Sequence, residues 1–387
     1  MNILIAPNAF KNSITASEAA VAIMEGLSIS GLEANCECFP IADGGDGTAA
    51  LIMQKCQGEI VKVMVNDPLG REIESSFGLI NGGKTAIIEM ADASGLRLLK
   101  PNELDPMLAS SYGTGQLLKM ALDKGVDEIF LGMGGSATVD GGVGILKALG
   151  VRFLDAAGNS ISDLLKDFDS LSAIDLSEVD QRIFKCKLHI LCDVDNKLLG
   201  EGGAAAVFGP QKGASPEQVK ELEAFLDHFN RITLQQTGLD MSQMAYSGTA
   251  GGAAAGVSAF FNASLVNGID HFLKLTNFEE ALKSSDFLIT GEGALDHQTL
   301  QGKGPVGVAK VAKEHRIPVF ALAGKVALGD VSALRSYFDV ILPIGNQPMD
   351  LSDALRLTRD NLARTATELG YMLKLIHQLQ HRSSTDS

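Results

Sequence analysis

The sequence predicts an α/β protein of two domains: a discontinuous Rossmann-like parallel-sheet domain with a second, mixed α/β domain inserted. Three observations predict this. The chain has 387 residues and 45% hydrophobic content, enough for two cores at roughly 150 residues per domain. Short apolar strands alternate with helical segments near both ends, the pattern of a parallel sheet. Between those ends the character switches to an antiparallel meander. The boundaries this implies are 1–60 with 245–387 for the discontinuous domain and 61–244 for the insert.

The elements follow in order. Residues 2–6 form an apolar strand, and Thr15-Ala16-Ser17-Glu18 is a capping box opening a helix over 19–27. A strand at 35–40 leads into the glycine and aspartate loop 41–48, then a helix to Cys56. Segments 60–65, 71–80 and 85–90 read as the meander, with turns at Asn66-Asp67-Pro68-Leu69-Gly70 and Asn81-Gly82-Gly83. Helices are expected at 115–124 and 143–149, and strands at 128–131 and 184–192. Pro216 opens a helix reaching Gln236, with acidic residues in its early turns. The glycine and alanine stretch 248–261 is helical in composition. The end of the chain returns to strands at 287–290, 318–323 and 340–344, and helices at 306–315 and 351–380.

Composition excludes several functions. Lys and Arg total 32 against 47 Asp and Glu, a net charge of −15, which repels nucleic-acid backbones. Aromatics are 5% and Trp is absent, so no base-stacking platform is expected. Five cysteines, an odd number without a CxxC pair, argue against a disulfide framework or structural zinc. The first residues lack the pattern of a signal peptide, and no run of about 18 apolar residues predicts a membrane span. The expectation is a cytoplasmic protein with no nucleic-acid or membrane partner; its oligomeric state is not legible.

Two nucleotide signatures need weighing. Gly78-Leu79-Ile80-Asn81-Gly82-Gly83-Lys84-Thr85 matches GxxxxGK[ST], but a strand-like segment follows where the mechanism needs a helix. A hairpin tip is the better reading. Gly132-Met133-Gly134-Gly135-Ser136-Ala137 fits the loose dinucleotide fingerprint, with Asp155 near the expected spacing. That leaves an NAD(P)-dependent oxidoreductase as the alternative function, and a non-catalytic nucleotide sensor as a third. Of the seven histidines only His377 and His381 stand four apart, without the glutamate of an HExxH motif, so a zinc site is not expected.

Loops rich in Gly, Asp and Lys recur at strand ends: 7–13, 42–48, 132–142, 193–203, 291–304 and Gly324-Lys325. Ligands of open α/β sheets bind at such ends. Together these loops resemble the bacterial-type glycerate kinases. The matching stretches are Ile5-Ala6-Pro7 with Phe10-Lys11, Ala42-Asp43-Gly44-Gly45-Asp46-Gly47-Thr48, and Gly134-Gly135-Ser136-Ala137-Thr138-Val139-Asp140-Gly141-Gly142. Cys192-Asp193-Val194-Asp195-Asn196, Phe208-Gly209-Pro210-Gln211-Lys212-Gly213-Ala214 and Thr290-Gly291-Glu292-Gly293 continue the set. Asp296, Gln298-Thr299 and Gly302-Lys303 close it.

The resemblance implies two α/β domains with the active site in the cleft between them. It also implies phosphorylation of D-glycerate by ATP with Mg2+, giving 2-phosphoglycerate. Two departures stand out: Asn8-Ala9 replaces the family's Asp-Ser, and Ala294 replaces its arginine. Phosphoryl transfer needs a base, cations over the phosphates, and amides around their oxygens. Asp193 and Asp296 are the expected base or magnesium carboxylates, with Lys303 completing the catalytic set. Lys11, Asp43, Asp46, Asp140 and Glu292 are expected to bind substrate or phosphate, and Gly134, Gly135 and Ser136 to supply amides.

Overall fold

A computed structural model describes residues 1–193, 195–296, 299–301, 303–327 and 332–385. The strands, in chain order, are β1 Asn2–Ile5, β2 Asn35–Cys38, β3 Glu59–Asn66, β4 Glu72–Ile80, β5 Thr85–Glu89, β6 Glu128–Gly132 and β7 Arg152–Leu154. They continue as β8 Ala173–Asp175, β9 Lys187–Cys192, β10 Ser264–Asn267, β11 Phe287–Leu295, β12 Val319–Val326 and β13 Val340–Pro343. The chain divides into two compact units, Met1–Asp43 with Ile269–Ser387, and Gly44–Gly268. The sequence pattern suggests junctions at 60 and 244. The observed ones lie elsewhere because the helix Thr48–Cys56 packs on β4 and β5, and β10 pairs with β9.

The first unit is a parallel five-stranded sheet in the order β13-β12-β11-β1-β2. Its central strands are apolar and buried, as a sheet covered on both faces requires. Ile3, Ile5, Ile289 and Leu322 pack against Ile23 and Leu27 of one helix and Leu362, Leu369 and Leu373 of another. Those helices, Ala16–Ile29 and Thr358–Thr385, touch at Gly26, where a Cβ would lie 2.2 Å from the Ala363 carbonyl oxygen. The expected capping box forms: the Thr15 hydroxyl accepts from the Glu18 amide, and Glu18 accepts from the Thr15 amide.

The second unit holds a six-stranded sheet, β10-β9-β6-β5-β4-β3, and the small hairpin β7-β8. β10, β9, β6 and β5 run parallel, while β5, β4 and β3 form the expected antiparallel meander. Residues Asn81–Gly83 form the tip between β4 and β5. No helix follows Lys84, whose ammonium pairs with Asp127 at 3.4 Å, so the Walker-like match is a hairpin. The helix Pro216–Thr237 buries Leu222, Phe225 and Phe229 in this unit's core beside Phe153 and Phe261.

Several elements differ from the sequence reading. β11 runs to Leu295 rather than stopping at Thr290, because β12 pairs with it as far as Leu295 opposite Val326. Gly324 and Lys325 therefore belong to β12 and not to a loop. The helix expected at 115–124 spans Tyr112–Asp123. The C-terminal helix is two helices, Leu351–Arg356 and Thr358–Thr385, broken at Leu357, where the Thr358 hydroxyl donates to the Ala354 and Leu355 carbonyls.

Candidate active site

In the first unit the loops after β1, β2 and β11 bring the expected residues together. Asp43 Oδ2 accepts from Asn8 Nδ2 at 2.8 Å and from the Gly304 amide at 3.4 Å. Gly304 opens the helix Gly304–Glu314, with Lys303 as the preceding residue and Pro305 in its first turn. Asp43 thus sits at a helix N-terminus, where a carboxylate is favoured. Asn8, one of the two departures, is thus a donor to Asp43. Ala294 lies opposite Lys325 in the β11–β12 register, so an exposed lysine on the next strand stands by the missing arginine. Lys11 is exposed on the loop after Phe10.

Glu292 belongs to β11, not to a loop, and is buried at 7% exposure. Its Oε1 accepts from the Thr299 hydroxyl at 2.8 Å, and the Asp296 amide donates to that same hydroxyl at 3.1 Å. Burial lifts the Glu292 carboxyl to about 7; the Thr299 bond and Lys303 oppose the lift, and Asp43 and Asp296 add to it. Asp296 and Lys303 are half-buried. His297, Gln298 and Gly302 lie outside the described residues.

The Glu292 shift gives a pH signature of stability. The folded state keeps a proton that the unfolded chain, with its ordinary value near 4.5, releases. That stabilisation is complete below about pH 4.5 and is lost as pH rises through about 7. Glu292→Gln stays neutral throughout. Its stability relative to the parent is therefore expected to rise between pH 5 and 8, by up to about 3 kcal/mol. Thermal midpoints of both proteins across that range check it. A difference that does not change with pH would show that Glu292 is ionised throughout.

In the second unit, Gly44–Thr48, the segment after β5 and the loop after β6 form one cluster. Gly134 must be glycine: a Cβ there would lie 2.5 Å from the Asp46 amide and from Gly45. Gly135 is exposed in the left-handed region at φ 69°. The Gly134 amide already donates to the Gly44 carbonyl at 3.3 Å. The loop is braced by Leu96 N–H to Gly135 O and Ala137 N–H to Ser94 O, both 2.9 Å. Among the described residues, the Gly135 and Ser136 amides meet no backbone acceptor. They remain the two candidates for an anion.

Asp46 is paired with Arg97 at 2.6 Å, and the same guanidinium binds Asp92. Glu89 Oε1 and Oε2 accept from the Ala49 and Gly47 amides at the start of the helix Thr48–Cys56. Burial, with Asp92 and Asp46 adding to it, pushes Glu89 up to about 7. Asp140 is buried at 2% exposure. It accepts from the Ser111 amide and hydroxyl and from the Gly142 and Gly144 amides, at 2.7 to 3.2 Å. These donors make Asp140 a post inside the loop. Asp193 follows β9 half-buried, and Val194 lies outside the described residues.

Sequence reasoning missed two cations. Lys212, on the turn Pro210–Lys212, is 3% exposed. Its Nζ donates to Ser136 Oγ at 2.9 Å and to the Thr138 carbonyl at 2.7 Å. Burial lowers its pKa to about 7, with Asp140 opposing. Its motif was visible; its role was not, because nothing local places it under a loop 76 residues earlier. Arg97 sits in a segment without any motif.

The dinucleotide reading does not assemble. The helix after the glycines begins only at Val143 and ends at Ala148. Asp155 accepts from Ala157 and Asn159 in the turn between β7 and β8. Among the described residues no three His, Cys, Asp or Glu side chains cluster as metal ligands. Magnesium is held through one or two carboxylates plus phosphate oxygens, so strand-end aspartates such as Asp193 and Asp296 are donors of the right kind.

Parallel strands with glycine-rich and acidic loops at their carboxyl ends, and lysines among the carboxylates, define an α/β enzyme for an anionic ligand. The glycerate kinase family model matches residues 3–374. The chain is 45% identical to a glycerate kinase of Halalkalibacterium halodurans, over 92% of this chain and 93% of that one. It is 39% identical to the glycerate 2-kinase of Escherichia coli, over 97% and 98%. A crystal structure from Salmonella typhimurium LT2 that carries a glycerate kinase 2 name superposes with TM-score 0.80 at 40% identity, covering 98% of this chain and 99% of that one. The chain belongs to the glycerate kinase family, and with it to the phosphotransferases acting on an alcohol group.

Proposed function

We propose that the chain transfers the γ-phosphoryl group of ATP to the 2-hydroxyl of D-glycerate, giving 2-phosphoglycerate and ADP. The observation that carries this is kinship over almost the whole chain with the Escherichia coli glycerate 2-kinase. A carboxylate, Asp193 or Asp296, takes the hydroxyl proton as the hydroxyl oxygen bonds to phosphorus and the bond to the ADP oxygen breaks. The other holds Mg2+, which when bound supplies charge neutralisation on the phosphates. Lys303 and Lys11 neutralise phosphate or carboxylate, and the Gly135 and Ser136 amides receive oxygens of an anion. Asp43 orients the Gly304 helix terminus, and Asp46, paired with Arg97, positions substrate or metal. Glu292 tunes the charge around Asp296 and Lys303.

The setting is the cytoplasm. Supporting this, the five cysteines are free thiols, which suits a reducing compartment. No helix among the described residues is long and apolar enough to cross a membrane. A coupled ADP-release assay with D-glycerate tests the reaction, and phosphorus NMR of the product tests the position. Turnover is expected with ATP and magnesium, absent with excess chelator, and the product signal that of the 2-phosphate. No turnover with D-glycerate would overturn the substrate. Full activity in chelator would remove the metal, and a 3-phosphate signal would move the site of transfer.

A further inference from the structure

Lys212 poses a question of cost. Taking an ammonium out of water costs several kcal/mol, and a well-packed apolar side chain at such a place is often as stable or more so. Lys212 is nonetheless buried at 3% exposure. It makes no ion pair among the described residues, and its two acceptors are neutral, Ser136 Oγ and the Thr138 carbonyl. Asp140 supplies a field but not a contact, since its oxygens are engaged by Ser111, Gly142 and Gly144.

An ammonium can only donate. While Lys212 is charged, Ser136 Oγ therefore accepts from it, and the Ser136 proton points elsewhere. Among the described residues no protein group takes that proton. Ser136 stands beside exposed, left-handed Gly135, in the loop at the carboxyl end of β6. A hydroxyl that accepts from a cation becomes a stronger donor, through the mutual polarisation of linked hydrogen bonds.

We infer that Lys212 is a positioning residue that acts through Ser136: it holds the Gly134–Ser136 loop from within and sharpens the Ser136 hydroxyl as donor to a substrate oxyanion. The oxyanion is a phosphate of the nucleotide or the carboxylate of the acceptor. The inference rests on the reading of this loop as an anion site. It explains why a lysine is kept where an apolar residue would pack: the bound anion completes a chain of ammonium, hydroxyl and oxyanion.

A double-mutant cycle tests it. Ser136→Ala, Lys212→Met and the double variant are assayed for kcat, for both KM values and for thermal midpoint. Each single variant is expected to raise the same KM by about 10- to 100-fold, the range for a hydrogen bond to a charged group. The double variant should be no more than about twofold worse than Lys212→Met, because the second change removes an interaction already lost. Lys212→Met should keep or raise the midpoint, since it removes a buried charge. The KM that moves, for ATP or for D-glycerate, identifies the oxyanion.

Losses that multiply in the double variant overturn the inference and leave the anion site standing. Unchanged kinetics in folded Lys212→Met also overturn it. Unchanged kinetics in Ser136→Ala instead remove the Ser136 side chain from the anion site, and the inference with it. Should Lys212→Met not fold, Lys212→Gln, which keeps a donor to Ser136 but no charge, tests the charge alone: the same KM is expected to rise, and unchanged kinetics overturn the inference.

Discussion

Asp296→Asn is expected to lower kcat by about 10²-fold or more, the lower end for lost general-base catalysis, with little change in thermal midpoint. Asp296 follows the last residue of β11, half-buried, in the turn that returns to the Gly304 helix. Backbone bonds hold that turn: the Thr299 amide donates to the Asp296 carbonyl at 3.1 Å, and the Asp296 amide to the Thr299 hydroxyl. Neither depends on the carboxylate, so asparagine keeps the shape and removes only charge and basicity. A partly exposed loop charge contributes little to stability. Rate and midpoint measured on one preparation separate the roles. A variant with near-normal kcat would make Asp296 a turn residue and leave Asp193 as the leading carboxylate.

Asp140→Asn is expected to act the other way, lowering stability by about 3–5 kcal/mol, as when one partner of a buried charged network is removed. Four donors point at this carboxylate: the Ser111 amide and hydroxyl, and the Gly142 and Gly144 amides. Asparagine places an NH2 among them, leaving donor against donor at a buried position. The affected region joins the loop after β6 to the helices Tyr112–Asp123 and Val143–Ala148. Urea unfolding should show a lower midpoint, while the protein still folded keeps its KM values. Normal stability with a KM raised tenfold would instead return Asp140 to direct contact with the ligand.

These two aspartates show how far local sequence goes. Both stand in glycine-rich strand-end loops, and nothing in their neighbours distinguishes them. Asp140 turns inward because Ser111, 29 residues earlier, meets it in the core. The same limit hid Lys212, whose acceptors lie 74 and 76 residues away. Glu292 was mislocated because the end of β11 depends on β12 as a partner, and that pairing is not a local property.

The chain alone determined what arises from short-range chemistry. The Thr15–Glu18 capping box, the Asn81–Gly83 hairpin tip, the meander and the alternation of strands and helices each depend on residues a few positions apart. The motif set, in its order, also determined the family. Tertiary structure alone decided which carboxylates are held by amides and which remain half-exposed, and where a lysine is stripped of water. Those properties follow from what long-range packing brings against each side chain, because desolvation and hydrogen-bond partners belong to the folded surroundings and not to the residue.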